Sequence, residues 1–331
     1  MAPYAMWKNK HILLCTLLLS LTVTESKAAL TQEEIDHRRS ELQNSIDQSN
    51  IGSGYAHILN FFIEPDISAA TYDVDDDANT RIDIYKFPLQ KNFSLNADGW
   101  EIALRGVISY STLEMTHNVL EIKTVDSKWK AYSGSVGTGL LVPVVKDLTL
   151  ITAADIGLSH MNNDSKYNGL LSASLGQILD GILYNWDTDA WIGSFVFGLN
   201  YNHLFGEQYT LDVTGRYIYS HVSSFNGSSD FPSFDGNAQT LSFAADLTHP
   251  LGFSIAQYPF SGVAHLGNTA FLGENRDTLG FDSFIELGYS LKVDITHLDF
   301  FVHTLRLGYQ WSIGDNVKGH TILFGLDLAV F

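Results

Sequence analysis

The chain has 331 residues, with 19 basic side chains against 37 acidic ones, a formal net charge of −18 and a single cysteine, Cys15. So acidic a chain excludes nucleic acid as a partner, because phosphate recognition needs a positive field. Mean hydropathy is close to zero, which also fits strands with one wet face and one lipid face.

The N-terminus reads as a secretory leader. Lys8 and Lys10 precede an apolar run from Ile12 to Val23, and Ser26-Lys27-Ala28 supplies small residues at the two positions a signal peptidase reads. Cleavage is predicted after Ala28, so that residues 1–28 are removed. The apolar run is too short to span a bilayer as a helix, which takes about twenty residues. Cys15 follows Leu14, where a lipidation signal would need a small residue. Loss of the leader removes Lys8, Lys10, Lys27, Glu25 and Cys15, leaving 16 basic and 36 acidic residues, a net charge of −20, and no thiol.

Residues 29–79 do not alternate. Thr31-Gln32-Glu33-Glu34 is a capping box opening a helix that reaches towards Gln48, with Ile35, Leu42 and Ile46 as a thin apolar stripe. Three apolar residues cannot anchor a soluble domain, so a plug in the wet lumen of a barrel, or a place in the periplasm, suits this helix better. Asp73, Asp75, Asp77 and Asn79 imitate the first half of a calcium loop. Ala78 and Ile84 stand where the loop needs Gly and a bidentate Glu, so the run reads as a solvated acidic linker. Neither a metal nor any other cofactor is implied.

Period-two alternation fills residues 80–331. Strands are predicted near 80–90, 99–111, 129–142, 147–160, 190–204, 207–222, 238–250, 257–271, 280–295, 298–313 and 317–331. Single-chain bacterial barrels have an even strand number, and the segment from Leu170 to Tyr184 is taken as the twelfth. It offers Leu171, Ala173, Leu175, Leu179 and Leu183 on one face, although Leu171, Leu175, Ile178 and Ile182 also fit a helix. Aromatic residues recur ten apart: Trp100 and Tyr110, Trp191 and Tyr201, Tyr209 and Tyr219, Phe301 and Trp311. At about 3.3 Å per residue and a tilt near 40°, ten residues climb roughly 25 Å, the height of the apolar band between membrane girdles. Short turns at Gly206-Glu207, Thr296-His297 and Gly314-Asp315-Asn316 give up-and-down order. The longest connection after residue 200, from Phe225 to Asn237, falls on the extracellular side when counted back from a periplasmic C-terminus.

The fold expected is an all-β, transmembrane, antiparallel up-and-down barrel of about twelve strands. On the face opposite the aromatics, Arg105, Arg216 and Arg306 share the lumen with Glu101, Asp212, Asp246 and Glu286. Such a lining plugs a barrel with ion pairs or shapes a narrow pore.

A leader, a polar helix and about twelve strands closing at Phe331 resemble the translocator barrel of autotransporters, in particular the small solitary members. The resemblance implies residence in the outer membrane of a Gram-negative bacterium and insertion by the outer-membrane assembly machinery. Its surroundings would be outer-membrane lipids and lipopolysaccharide, with a helix threading the pore and no enzymatic activity. This sequence departs from larger members in having only some fifty residues between the expected cleavage site and the first predicted strand. Its last strand also departs from the usual phase: Ala329, Asp327 and Gly325 share the face of Phe331, whereas Ile322, Phe324, Leu326, Leu328 and Val330 form the apolar set. A shifted phase or a bulge would account for this.

A second resemblance concerns chemistry. His221-Val222-Ser223, followed by Asn226-Gly227 and Asn237, resembles outer-membrane phospholipase A, a twelve-stranded barrel with a His-x-Ser pair on its outer wall and an Asn on the next strand. It implies Ser223 as nucleophile, His221 as its base, and Asn237 (or Asp235) orienting the imidazole. The bland alternative is that these residues begin a polar loop. A porin, or an adhesin working through the loop from Phe225 to Asn237, completes the readings.

Overall fold

The structure, a computed structural model, describes residues 31–45, 56–58, 67–95, 99–119, 123–168, 172–206, 208–227, 233–273, 276–296 and 302–328. These form a closed barrel of twelve antiparallel strands, in which every strand pairs with its sequence neighbours and the first with the last. In chain order the strands are β1 (Ile67–Val74), β2 (Arg81–Ser94), β3 (Glu101–Val119), β4 (Lys123–Val145), β5 (Leu148–Tyr167), β6 (Asp187–Phe205), β7 (Tyr209–Gly227), β8 (Asp235–Ile255), β9 (Tyr258–Leu272), β10 (Ser283–Asp294), β11 (Val302–Gly314) and β12 (Val317–Leu328). Among the described residues the helices α1 (Gln32–Ser45) and α2 (Ser172–Leu179) accompany them, and residues 56–58 are helical as well.

Alternation decides which side chains face the lumen. Along β5, Ala153, Asp155, Ser159 and Met161 are buried while Ile156 and Leu158 stand exposed on the outside. The same division separates Ile82 and Ile84 from Tyr85 and Phe87 on β2, and Ala190, Ile192 and Val196 from Trp191, Phe195 and Phe197 on β6. Large apolar groups thus cover the outer wall, and small or polar ones line much of the inside, the reverse of a soluble sandwich.

The twelfth strand is not the one the periodicity suggested. The segment from Leu170 to Tyr184 contains α2 and a turn with Gly181 at φ 78°. Its apolar residues satisfy the i, i+4 spacing better than a pleat, and Ile178, Leu179 and Ile182 bury together. The twelfth strand is β1, lying inside the segment read as helix and linker. The acidic run there closes a β1–β2 hairpin. Asp76 Oδ1 accepts from the Ala78 and Thr80 amides at 3.1 and 2.9 Å, and Asn79 takes φ 49°. Phe225 and Asn237 likewise fall within β7 and β8, so that connection shrinks to residues 228–234. The β9–β10 connection, residues 273–282, is longer.

Connections divide unequally between the two ends. The end that holds the start of β1 and the end of β12 has tight β4–β5, β6–β7 and β8–β9 turns, with Asp147, Gly206, Ala256 and Gln257 all at positive φ. The other end carries the β5–β6 connection with α2, the β7–β8 and β9–β10 connections, and α1. The outward set on β12 includes Ile322 and Phe324, as the apolar phase of that strand requires. A register shift between Val302 and Thr304 on β11 faces Leu328 and Asp327; Phe331 lies outside the described residues.

Candidate functional site: lumen and outer wall

Three levels can be distinguished inside the barrel. In the half towards the long connections an apolar cluster fills part of the lumen. Tyr72, Val74, Ile82, Ile84, Phe271, Phe281, Phe284 and Val317 form one cluster with Ala56 and Ile58 of the preceding segment. His57 is 1 % exposed and its ring lies 4.6 Å from that of Phe271. Residues 56–58 therefore occupy the lumen at this level.

Below it lies a polar level containing a cavity of about 90 Å³, lined among others by Lys86, Arg216, His265, Glu286 and Gln310. Asp246 on β8 accepts from Arg306 Nη1 at 2.8 Å, across the two intervening strands, and stands 2.6 Å from His265 Nδ1. Arg105 meets Asp155 at 3.3 Å, where a Cβ on Gly137 would collide with the Asp155 carboxylate and the Ala154 carbonyl. Towards the tight-turn end, Asp212 accepts from Asn200 and Asn202 at 2.9 Å each, and Glu101 accepts from Asn92 at 2.9 Å. All seven charges expected in the lumen carry the inward parity of their strands. Asp246 and Arg306 are brought together, and Arg105 pairs with Asp155. Asp155, Lys86 and His265 were missed, although the parity rule that found Arg105 places each of them inside.

The third level is the long-connection mouth, where α1 packs on α2. The capping box forms: Thr31 N donates to Glu34 Oε2 at 2.9 Å and Glu34 N to Thr31 Oγ1 at 3.3 Å. The Thr31 backbone bond, then its hydroxyl, holds the Glu34 carboxyl below its ordinary pKa. Arg39 donates to the carbonyls of Gln177, Ile178 and Asp180 at 2.9, 3.2 and 2.9 Å, satisfying the carbonyl end of α2. Leu42 buries against Val125, Ile178, Leu179 and Ile182. Ile35 is buried too, and Ile46 lies outside the described residues.

On the outer wall Trp100, Trp191, Tyr209, Tyr219 and Trp311 are exposed and Tyr110 and Tyr201 half-buried; Phe301 lies outside the described residues. His221 and Ser223 share this wall. His221 Nδ1 stands 2.9 Å from Asn237 Oδ1, directly across the β7–β8 ladder. Its other nitrogen faces Asp235 at 3.5 Å, and Asn237 also accepts from Tyr219 at 2.6 Å. The His–Asn contact of the phospholipase reading is thus present. The base-to-Ser223 hydrogen bond is not among the described contacts, so the nucleophile lacks its activated geometry.

A closed twelve-stranded barrel with an apolar outer belt and a preceding segment inside it defines a translocator-type barrel of the Gram-negative outer membrane. The model of the solitary outer membrane autotransporter β-barrel domain matches residues 66–327, and the chain belongs to that family. Among solved structures it is similar to the translocator domain of the autotransporter NalP from Neisseria meningitidis. The TM-score is 0.55 at 9 % identity, covering 89 % of this chain and 97 % of that one. The transport unit of AIDA-I from Escherichia coli gives 0.53 at 11 %, covering 86 % and 100 %. The β domain of the Bordetella autotransporter BrkA gives 0.51 at 11 %, covering 78 % and 95 %. At these identities the likeness is one of fold. No curated protein sequence matches the chain.

Proposed function

We propose that this autotransporter-type barrel holds its own N-terminal segment through the lumen, closing the pore and displaying α1 at the cell surface. The supporting observation is the burial of residues 56–58 among inward side chains, together with the seat of α1 on α2 at the long-connection end. In this reading residues 1–28 are the secretory leader. The outer-wall aromatics mark the two membrane interfaces, and the assembly machinery inserts the barrel among outer-membrane lipids and lipopolysaccharide. The lumen's ion pairs below the apolar level close what space remains. Planar-bilayer recording tests this. The chain from residue 29 is expected to give no large steady conductance, and deletion of residues 29–58 to raise it; a large steady conductance from the undeleted chain overturns the closed pore.

A second reading rests on the His221–Asn237 contact, which is the orienting half of a Ser–His–Asn hydrolase. A substrate ester would have to draw Ser223 onto His221 Nε2, displacing Asp235. Fatty-acid release from phospholipid micelles with calcium that disappears in Ser223→Ala supports it, and no release removes it.

A further inference from the structure

We propose that the outer wall over β12, β1, β2, β3 and β4 binds a phosphorylated multi-acyl lipid of the outer leaflet, the lipid A part of lipopolysaccharide. The inference rests on the reading that the long-connection end faces outwards.

Cross-strand register places outward side chains in continuous rows on this wall, which climb obliquely because the strands are tilted. One row runs Ile322, Ala69, Tyr85, Tyr110, Tyr132, His160 across β12 to β5. Its rings pack together, stacked for Tyr85 and Tyr110 with centroids 6.1 Å apart and tilted for Tyr110 and Tyr132 at 4.8 Å. Phenols grouped on three adjacent strands suit the boundary between acyl chains and headgroups. Two residues higher stand His320, Thr71, Asp83, Thr112 and Lys130, and two higher again Lys318, Asp73, Arg81, Glu114, Lys128 and Asp164. That upper row alternates in sign across all six strands. Lys128 is paired with Glu114, and Lys130 with Asp164, which holds both ammonium groups over the aromatic row.

Within the aromatic row, Ala69 leaves a gap between the larger Ile322 and Tyr85. The result is an apolar groove of about 650 Å³, walled by Tyr85, Phe87, Ile108, Tyr110, Ile322 and Phe324. A groove for hydrocarbon beneath a row of cations and carboxylates has the profile of a lipid A molecule. Its acyl chains would lie in the groove, its phosphates at Lys128, Lys130 and Arg81, and divalent cations would be shared between phosphate and carboxylate.

Charge placement favours this wall over the others. In β6 to β11 every lysine and arginine, Arg216, Lys292 and Arg306, carries the inward parity of its strand. The outward positions near the same end of β6, β7 and β8 hold Asp187, Asp189, Asn226, Asp235 and Asn237. In a chain of net charge −18, outward strand cations confined to β2 to β5 and β12 mark one side for an anionic lipid.

The test is native mass spectrometry of the full barrel in mild detergent, titrated separately with lipid A, phosphatidylglycerol and phosphatidylethanolamine. Lipid A is expected to be retained best. The double variant Lys128→Ala/Lys130→Ala should weaken its retention about tenfold, and Ala69→Trp, which fills the groove, should weaken it comparably. Lys146→Ala, in the β4–β5 turn at the opposite end, should leave it unchanged. Heat-modifiable migration in electrophoresis confirms that each variant is folded, and the lysine pair stands as the test if Ala69→Trp is not. Equal retention of the three lipids, or lipid A retention unmoved by the lysine pair, overturns the proposal. Orientation is read separately by surface labelling of α1, so a failed lipid site and a failed orientation give different results.

Discussion

Asp246 ties three strands together, because it stands on β8 and its two oxygens meet His265 of β9 and Arg306 of β11. Arg306 spans β9 and β10 to reach it, so this contact braces the lumen across the barrel, beyond the nearest-neighbour ladders. Removing one partner of a largely buried pair leaves the other without compensation. Arg306→Ala should therefore cost about 3 kcal/mol, seen as a lower urea midpoint for unfolding from lipid vesicles followed by tryptophan fluorescence. Arg306→Lys keeps the charge but not the planar fork, and an intermediate loss is expected. An alanine variant as stable as the parent would mean that the brace contributes nothing. The outer wall answers to a different rule. Ile156 is 66 % exposed on the lipid side of β5, so Ile156→Arg meets hydrocarbon and should cost about 2–4 kcal/mol in the same assay. In a soluble protein so exposed a position would tolerate arginine, so a neutral result would contradict the membrane belt.

Helix α1 cannot stand by itself. Of its fourteen residues only Ile35 and Leu42 are buried apolar groups, and a helix of that length is marginal in water. Its stability comes from docking, through Leu42 in the α2 cluster and Arg39 on three carbonyls. Arg39→Ala combined with Leu42→Asp should free α1 while leaving the barrel intact. A nitroxide at position 33 would then become mobile by electron paramagnetic resonance, with unchanged heat-modifiability; an unchanged spectrum would show that other contacts hold the helix. The elements also explain what was legible from periodicity. Long strands announced themselves, since a run such as Ile285 to Asp294 alternates without interruption. β1 did not: after Ile67 its positions of outward parity, Ala69, Thr71 and Asp73, hold no large apolar group, and only its pairing with β12 and β2 defines it. α2 was misread because leucines four apart are compatible with both periods, and the capping of its carbonyl end by Arg39, far away in sequence, decided the matter. In the lumen, parity alone found the charges, but partners depend on register: Arg105 and Asp155 flank Gly137 of the strand between them, whose missing side chain lets them meet. Asp155 therefore reached Arg105 without any local signal.

The whole molecule is polar in two senses: its two longest connections, β5–β6 and β9–β10, lie at one end, and α1 sits at that end. β1 begins at the tight-turn end and residues 56–58 lie among the inward side chains of the far half. α1 sits beyond them against the β5–β6 connection. The N-terminal side of the chain therefore lies across the membrane from the start of the first strand, if the long-connection end faces outwards. Cysteine chemistry can read this directly, because the single native cysteine, Cys15, lies in the expected leader. Glu33→Cys puts a thiol on the exposed first turn of α1, and Lys146→Cys puts one in the β4–β5 turn at the opposite end. On intact cells a membrane-impermeant maleimide should label position 33 and spare position 146, and permeabilising the outer membrane should expose both. Labelling of position 146 alone on intact cells would invert the barrel. Labelling of neither until permeabilisation would place α1 on the periplasmic side and refute surface display, whatever the conductance of the pore.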